Sequence, residues 1–325
     1  MRVTTKQIAE HLGISPSTVS RVLNGRGGKF ISEATRQRVL QAAREMGYRP
    51  HHAARALVTG RTQTVALWMY SLHTAFHAHV AHLMQRILYR HHYHSLIVPV
   101  DYLDASSYSA DGHVDGIIAH ECVDCIRSFL RASARTPVVS IGSYYVTECD
   151  HVGIDLFAGA VEAVQHLLDS GRRRVAYLVN ASSDHAGEPR GEAYRLVMHR
   201  AGLPLEVIAS ADQSRWQTYE AVKRHVEQHG VPEAIFSHND HMAIACYKCL
   251  RDLGLRVPDD VALVGCDGIE ETEFLETPLT TIVQPLEEMC QLAWLFLQRR
   301  LQQPDLPVQR AVLKARLALR ASSGG

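Results

Sequence analysis

The sequence predicts a chain of two parts: an N-terminal all-α head with a helix-turn-helix and a following hinge helix, and an α/β body of two doubly wound parallel-sheet lobes. Three observations lead there. Two short helical segments near the N-terminus are each opened by a capping residue and separated by a single glycine turn. Basic residues are concentrated in the same segment. From Thr64 onward, short apolar runs alternate with helix-period segments twice over.

A length of 325 residues exceeds one ordinary core and implies two or three domains. The formal net charge of +0 conceals an asymmetry. Residues 1–61 hold eleven Lys/Arg against the three acids Glu10, Glu33 and Glu45, a net of +8, so the remainder carries −8. A basic head on an acidic body suits a polyanion at one end only. No run of apolar residues is long enough to span a membrane, and Met1 to Glu10 is too polar for a signal sequence. Seven cysteines without a disulfide-framework spacing predict a reduced, cytoplasmic protein.

In the head, Thr4 and Gln7 form a predicted capping box, followed by Ile8, Ala9 and Leu12 at helical spacing. Gly13 stops that helix. Ser15 caps the next, with Pro16 at its first position, where a missing N–H costs nothing. Val19, Val22 and Leu23 face inward. Ser17, Arg21 and Asn24 fall at i, i+4 and i+7 and share the outer face. Small polar residues and one Arg on that face fit a major groove, since Arg pairs bidentately with guanine. A third helix opens at Ser32, carries Val39, Leu40, Ala43 and Met46, and stops at Gly47. The segment from His51 to Val58 is too short for a stable isolated helix but can fold against DNA. The expected boundaries are 1–49 for the head and 50–62 for the hinge helix.

The body, 63–325, has predicted strands at 64–69, 95–100, 116–119 and 138–141, with helices at 76–90 and 122–132. A second set follows the strand at 152–155. It has strands at 174–179, 234–237, 261–265 and 280–283, and helices at 156–170, 190–201, 218–228, 239–253 and 286–300. One last strand is expected at 311–317. These sets give a first lobe of about 63–155 with 286–325 and a second of about 156–285. Ligands bind outside the carboxyl ends of parallel strands, so facing strand ends would enclose a cleft.

The run from Val3 to Asn24 resembles the head of the lactose/galactose-repressor (LacI/GalR) family at Ile8-Ala9, Gly13, Ser15, Thr18 to Val22 and Asn24. The likeness continues through Ser32 to Tyr48 and the spacing of Ala54 and Leu57. In the body it covers 170–177, 232–243, 253–267 and 279–285. The resemblance implies a body similar to periplasmic sugar-binding proteins. It also implies Pro16, Ser17 and Arg21 at base-reading positions, Thr18, Ser20 and Asn24 near phosphates, and Leu57 as a minor-groove wedge. Thr4, His51 and Ala54 complete the expected DNA-binding set. For an effector, the resemblance implies Arg190, Asn239, Asp267 and Gln284, with Ser71, Thr74 and Phe76 from the first lobe.

There are departures. The turn at 25–30 is about two residues longer than usual, and His51 replaces a frequent Asn. Thr74 and Ala75 stand for the family's Asn-Pro before Phe76. Gln213 stands where a stacking aromatic is frequent, and Trp216 is the candidate substitute. The effector therefore need not be a simple hexose.

The expected function is an effector-controlled transcriptional regulator, in the sense of a repressor. It binds a pseudo-palindromic double-stranded DNA operator as a homodimer, and a small carbohydrate-like ligand switches its affinity. There is no membrane partner and no cofactor, and no catalytic motif such as Gly-x-Ser-x-Gly or a Walker loop occurs, so no enzyme is expected. The alternative is a metal- or pH-responsive regulator that uses the histidines between His73 and His94. His73 and His77 lie at a zinc-compatible spacing, and Cys122/Cys125 and Cys246/Cys249 form two Cys-x-x-Cys pairs. A solvated or dimer-facing histidine-rich helix is the favoured reading, and no metal site is assigned.

Overall fold

A computed structural model describes residues 3–23, 30–48, 60–100, 113–132 and 135–324. Asn24, the turn at 25–29, and His51, Ala54 and Leu57 of the expected hinge lie outside these residues. The chain divides into two compact units, Met1–Thr62 and Gln63–Gly325.

In the first unit, α1 (Thr5–Leu12), α2 (Pro16–Leu23) and α3 (Glu33–Glu45) enclose Ile8, Ala9, Val19, Val22, Val39, Ala42 and Ala43. The expected capping box forms: Thr4 Oγ1 accepts from Gln7 N, and Gln7 Oε1 accepts from Thr4 N at 2.9 Å. Gly13 adopts φ +67, the left-handed conformation that ends α1 without a Cβ clash. Ser15 Oγ accepts from Thr18 N and Ser32 Oγ from Thr35 N, capping α2 and α3.

In the second unit the first sheet joins β1 (Thr64–Met69), β2 (His94–Pro99), β3 (Gly116–His120), β4 (Val138–Gly142), β5 (Asp150–Asp155) and β11 (Arg310–Lys314). The order is β11-β5-β4-β3-β1-β2, with every pair parallel. The second sheet holds β6 (Val175–Asn180), β7 (Glu206–Ser210), β8 (Ala234–Ser237), β9 (Ala262–Asp267), β10 (Thr280–Val283) and β12 (Arg316–Ala318). Its order is β12-β10-β9-β8-β6-β7, and only β12 runs antiparallel. The helices are α4 (Ala75–Arg90), α5 (Val123–Ala132), α6 (Leu156–Asp169), α7 (Pro189–Arg200), α8 (Arg215–His229), α9 (Asp240–Asp252) and α10 (Leu286–Gln302). Fully buried strands such as β1, with Val65 to Met69 inside, explain the unbroken apolar runs in the sequence.

Two sequence expectations need correction. Strand β7 was not anticipated. It is an edge strand in which only Ile208 and Ser210 are buried, so no apolar run announces it. The segment expected as one strand at 311–317 is two, broken at Ala315 between the sheets. Ala311, Leu313, Ala315 and Leu317 all pack inward at a period of two, and that period cannot reveal a change of sheet. Consequently β12 and the turn Ala321–Ser323 belong with the second lobe and not with the first.

The chain thus passes between lobes after β5, after β10 and at Ala315. Asp150, at the start of β5, is a buried carboxylate at 2 % exposure. It accepts from Arg300 Nη2 at 2.7 Å, Arg300 Nε at 3.1 Å, Gln309 N at 2.8 Å and Gln309 Nε2 at 3.1 Å.

Candidate functional site

In each sheet the order reverses beside one strand: β1 lies between β2 and β3, and β6 between β7 and β8. Crevices open at the carboxyl ends of strands at such reversals. Both sets of ends border one cavity of about 690 Å³. Tyr70 follows β1, Glu121 follows β3, Ser143 to Tyr145 follow β4, and Leu156 follows β5. Facing them are Ser182, Ser183 and His185 after β6, Gln213 after β7, His238 and Asn239 after β8, Asp267 at the end of β9 and Gln284 after β10. The volume suits a ligand of a few tens of heavy atoms or fewer.

The second-lobe wall is closely hydrogen-bonded within itself. Arg190, in the first turn of α7, donates Nε to Glu188 Oε1 at 2.7 Å and Nη1 to His238 O at 3.1 Å. Glu188 caps the same helix: its Oε2 accepts from Gly191 N at 2.7 Å and from Tyr177 Oη at 3.1 Å. Burial opposes the charge on Glu188, but the Arg190 guanidinium outweighs it and holds the carboxyl down at about 2. The one proton of Tyr177 goes to Glu188, so the 3.0 Å contact with His238 requires the proton on His238 Nδ1. Burial, then Arg190, push the His238 imidazole down to about 3, so it is neutral at ordinary pH.

Asp267 adjoins this wall with φ +127, outside the usual range for a residue with a Cβ. It accepts from Gln284 Nε2 at 3.1 Å. Burial, and then the Asp240 charge, raise its carboxyl well above the usual range. Asp240 supports the turn after β9: its Oδ2 accepts from Gly268 N at 2.7 Å and Ile269 N at 3.0 Å, and Oδ1 accepts from Thr281 Oγ1 at 2.6 Å. A Cβ on Gly265 would overlap that carboxylate.

The first-lobe wall is less committed. Glu121 Oε1 accepts from Ser143 N at 2.8 Å and Ser143 Oγ at 3.0 Å, while the buried Oε2 has no hydrogen-bond partner. Burial raises the Glu121 carboxyl. The side chain lies against Gly142, where an added Cβ would come within 2.5 Å of its carboxyl carbon. His77 and His120 meet Nδ1 to Nδ1 at 3.2 Å beside Phe76. Burial pushes His77 down to about 4, so both rings are neutral and one must donate to the other. Tyr70, Phe76, Tyr144 and Tyr145 give this wall its aromatic character.

Of the effector residues expected from the sequence, Phe76, Arg190, Asn239, Asp267 and Gln284 line the cavity. Asn239 also caps α9, with Oδ1 accepting from Met242 N at 2.8 Å. Ser71 and Thr74 are buried but do not line it: Ser71 Oγ accepts from His73 N, and Thr74 caps α4. Trp216 does not replace the missing aromatic. It is 69 % exposed and packs edge-on against Tyr219, whereas Gln213 reaches the cavity. Tyr144, Glu121, Ser143 and His238 were not anticipated, because each is an ordinary residue in its own segment and only the sheet order brings them together. Cys122, Cys125, His77 and Tyr70 also line the cavity. His73 precedes the cap of α4, so of the His73/His77 pair only His77 lies on the helix. His79, His82, His91, His92 and His94 are exposed.

In the head unit Thr4, Pro16, Ser17 and Arg21 are exposed, and Thr18 and Ser20 are half-buried. Ser17 and Thr18 hydroxyls lie 2.8 and 2.9 Å from Ser15 Oγ, which fixes the start of α2.

The family described as bacterial regulatory proteins, lacI family, matches residues 4–51, and the periplasmic binding protein-like domain matches residues 164–323. The ribose operon repressor of Escherichia coli (strain K12) is 30% identical over 331 residues, covering 98% of this chain and 99% of that protein. A solved complex of the transcriptional regulator CelR with cellobiose is 28% identical with a TM-score of 0.70, covering 99% of this chain and 100% of that one. A lac repressor dimer bound to operator and the anti-inducer ONPF superposes with a TM-score of 0.88 at 21% identity over 99% of each chain, a likeness of fold. No helix among the described residues is long and apolar enough to cross a membrane.

Proposed function

The chain belongs to the LacI family of bacterial regulatory proteins, and on that premise we propose that it is a repressor whose DNA affinity is switched by a small carbohydrate-like ligand in the cavity between its lobes. It is a DNA-binding transcriptional regulator and not an enzyme. The proposal adds the switch, the dimer and the site residues.

One observation carries it. A chain with an exposed Ser17/Arg21 helix face also has a cavity of about 690 Å³ at the carboxyl ends of two parallel sheets, with Arg190, Asn239 and Asp267 on its wall. Asn, Asp and Arg suit hydroxyl-rich ligands, because each hydroxyl donates once and accepts twice. The working division is a head at 1–49, a hinge helix at 50–62 and the two-lobed body beyond, acting in the cytoplasm as a homodimer on a pseudo-palindromic operator. A ligand that prefers one lobe arrangement shifts the protein toward it, and operator affinity changes by the same coupling free energy.

In the head, Pro16, Ser17 and Arg21 meet base edges and Thr4, Thr18 and Ser20 meet the backbone, with Asn24, His51, Ala54 and Leu57 extending that surface. Operator sites selected from a random duplex library give the test. Arg21→Ala is expected to weaken the selected site by roughly 1–3 kcal/mol, with ligand binding unchanged. Equal loss of both functions refutes the assignment. Sedimentation at a mass other than the dimer refutes the oligomer. The metal-responsive reading has no support among the described residues, where no group of three His, Cys, Asp or Glu side chains is placed to hold an ion.

A further inference from the structure

The sequence holds two Cys-x-x-Cys pairs, and the fold treats them differently. Cys246 and Cys249 lie inside α9 and are fully buried. Burial pushes both thiols up, Cys249 to about 11. Cys149, Cys266 and Cys290 are buried as well, and burial raises each of them. A protonated thiol shut away from solvent is inert. Cys122 and Cys125 stand apart, because both are thiols on the wall of the cavity.

Cys122 joins β3 to α5 and takes the N-cap position, its carbonyl accepting from Ile126 N at 3.0 Å. Cys125 is then the third residue of α5. These two positions of a helix start face each other, which is why an N-cap side chain reaches the backbone N–H three residues on. Helix geometry sets their α-carbons about 5–6 Å apart, inside the roughly 4.4–6.8 Å that a disulfide bridges. Cys122 Sγ is buried and donates to His120 O at 2.8 Å and to Trp68 O at 3.7 Å. Closing a bridge exchanges these weak bonds by rotation to another staggered position. Cys125 is half-buried and borders the cavity. The partial positive charge at the start of α5 favours a thiolate there. Asp124, between the two, is exposed, so water screens its opposing charge.

We propose that Cys122 and Cys125 are a redox-responsive dithiol on the cavity wall, closed reversibly to a disulfide by a peroxide, and that closure alters operator affinity. Cys125, the more accessible thiol, attacks as the thiolate: an S–O bond forms, the peroxide O–O bond breaks and hydroxide leaves. The Cys122 thiol then attacks the sulfenic sulfur, the S–S bond forms and water leaves. Two thiols and one hydrogen peroxide give one disulfide and two waters. Disulfides in a reducing compartment are characteristically of this transient, sensing kind. The bridge itself is independent of the effector reading. Its effect on operator affinity rests on that reading, because it acts through the same cavity. All seven cysteines lie in the body, so a thiol effect on DNA binding must start there.

The test uses the full chain, reduced and then freed of reductant, with hydrogen peroxide as the probe. Alkylation and peptide mass analysis read which thiols are lost. A bridged Cys122–Cys125 peptide, lighter by two hydrogens, is expected at a rate about tenfold or more above modification of any other cysteine, and dithiothreitol is expected to restore both thiols. Operator affinity, on a site selected from random duplexes, is expected to change about fivefold or more on oxidation and to return on reduction. Cys125→Ser is expected to lose both the bridge and the peroxide response while its operator affinity matches that of the reduced wild type, which also shows that the variant folds. The wild-type peptide map stands even if the variant does not. Earlier oxidation of another cysteine, or a Cys125 oxidised without bridging to Cys122, overturns the inference. A bridge that leaves operator affinity unchanged upholds the dithiol and overturns its control of DNA binding. Sugar titration of the reduced chain, where no bridge is present, tests the effector reading by itself.

Discussion

The two walls of the cavity differ in how much of their hydrogen bonding is already settled. On the second-lobe side, Arg190, Glu188, Tyr177 and His238 satisfy one another, and Asp240 locks the turn that carries Asp267. On the first-lobe side, Glu121 keeps one buried oxygen without a partner, and the His77–His120 pair admits either tautomer. A preorganised wall binds without the cost of ordering its groups, and an unsatisfied wall gains most from the ligand that completes it. On the proposed effector reading, the second-lobe wall offers groups already fixed in place, and the first-lobe wall offers groups whose hydrogen bonding is still open.

The largest effect expected from this contrast is on Arg190→Ala. It leaves Glu188 buried at 1 % exposure without its cation, and loss of one partner of a buried pair costs about 3–5 kcal/mol. Denaturant unfolding of the body measures it. Glu121→Gln on the opposite wall is expected to stay within about 1 kcal/mol. Comparable losses from both would break the contrast.

Acid titration separates the walls next. Glu188 has its folded pKa lowered to about 2 from 4.5, so its contribution is present above 4.5 and lost as the pH falls toward 2. His77 is lowered to about 4 from 6.5, so its contribution is present above 6.5 and lost as the pH falls toward 4. Glu188→Gln should therefore flatten the stability profile in the lower window and His77→Phe in the upper one. Interchanged windows would mean that the Arg190 pairing does not control Glu188 and burial does not control His77.

The smallest effect is expected at Trp216. Its exposure and its place outside the cavity predict a change within about 0.5 kcal/mol for Trp216→Ala, with ligand affinity unaltered. A large loss of ligand binding would show that the ring swings onto the ligand when the lobes close.

The sequence disclosed the parts of this molecule that rest on local rules. The capping box at Thr4, the caps at Ser15 and Ser32, the apolar strands β1, β8 and β10 and the helices between them all follow from short-range chemistry. Likeness to a family put Arg190, Asn239, Asp267, Phe76 and Gln284 on the cleft side, and all five line the cavity. Glu121 and Tyr144 were not, because what makes them interesting is the wall across from them and the close approach of Gly142. Trp216 misled for the converse reason. Three residues along the chain from Gln213 it is already on α8, and the helix turns it outward. Strand β7 escaped because an edge strand buries only alternate positions, and β12 because a period of two does not say which sheet a strand joins.

The donors around Asp150 bear on how the body is synthesised. The carboxylate is made near the middle of the chain, and the groups that satisfy it, Arg300 and Gln309, follow some 150 residues later. Strands β11 and β12, which complete the two sheets, come later still. A nascent body released only as far as α9 would hold a buried charge without its counter-ion and an uncovered edge on each sheet. The head closes its own small core within 48 residues and has no such debt. Emerging from the ribosome, the head can therefore close its core while the body is still waiting for Arg300 and Gln309. A ribosome stalled between 260 and 300 would display a folded head on a body open to chaperones and proteases.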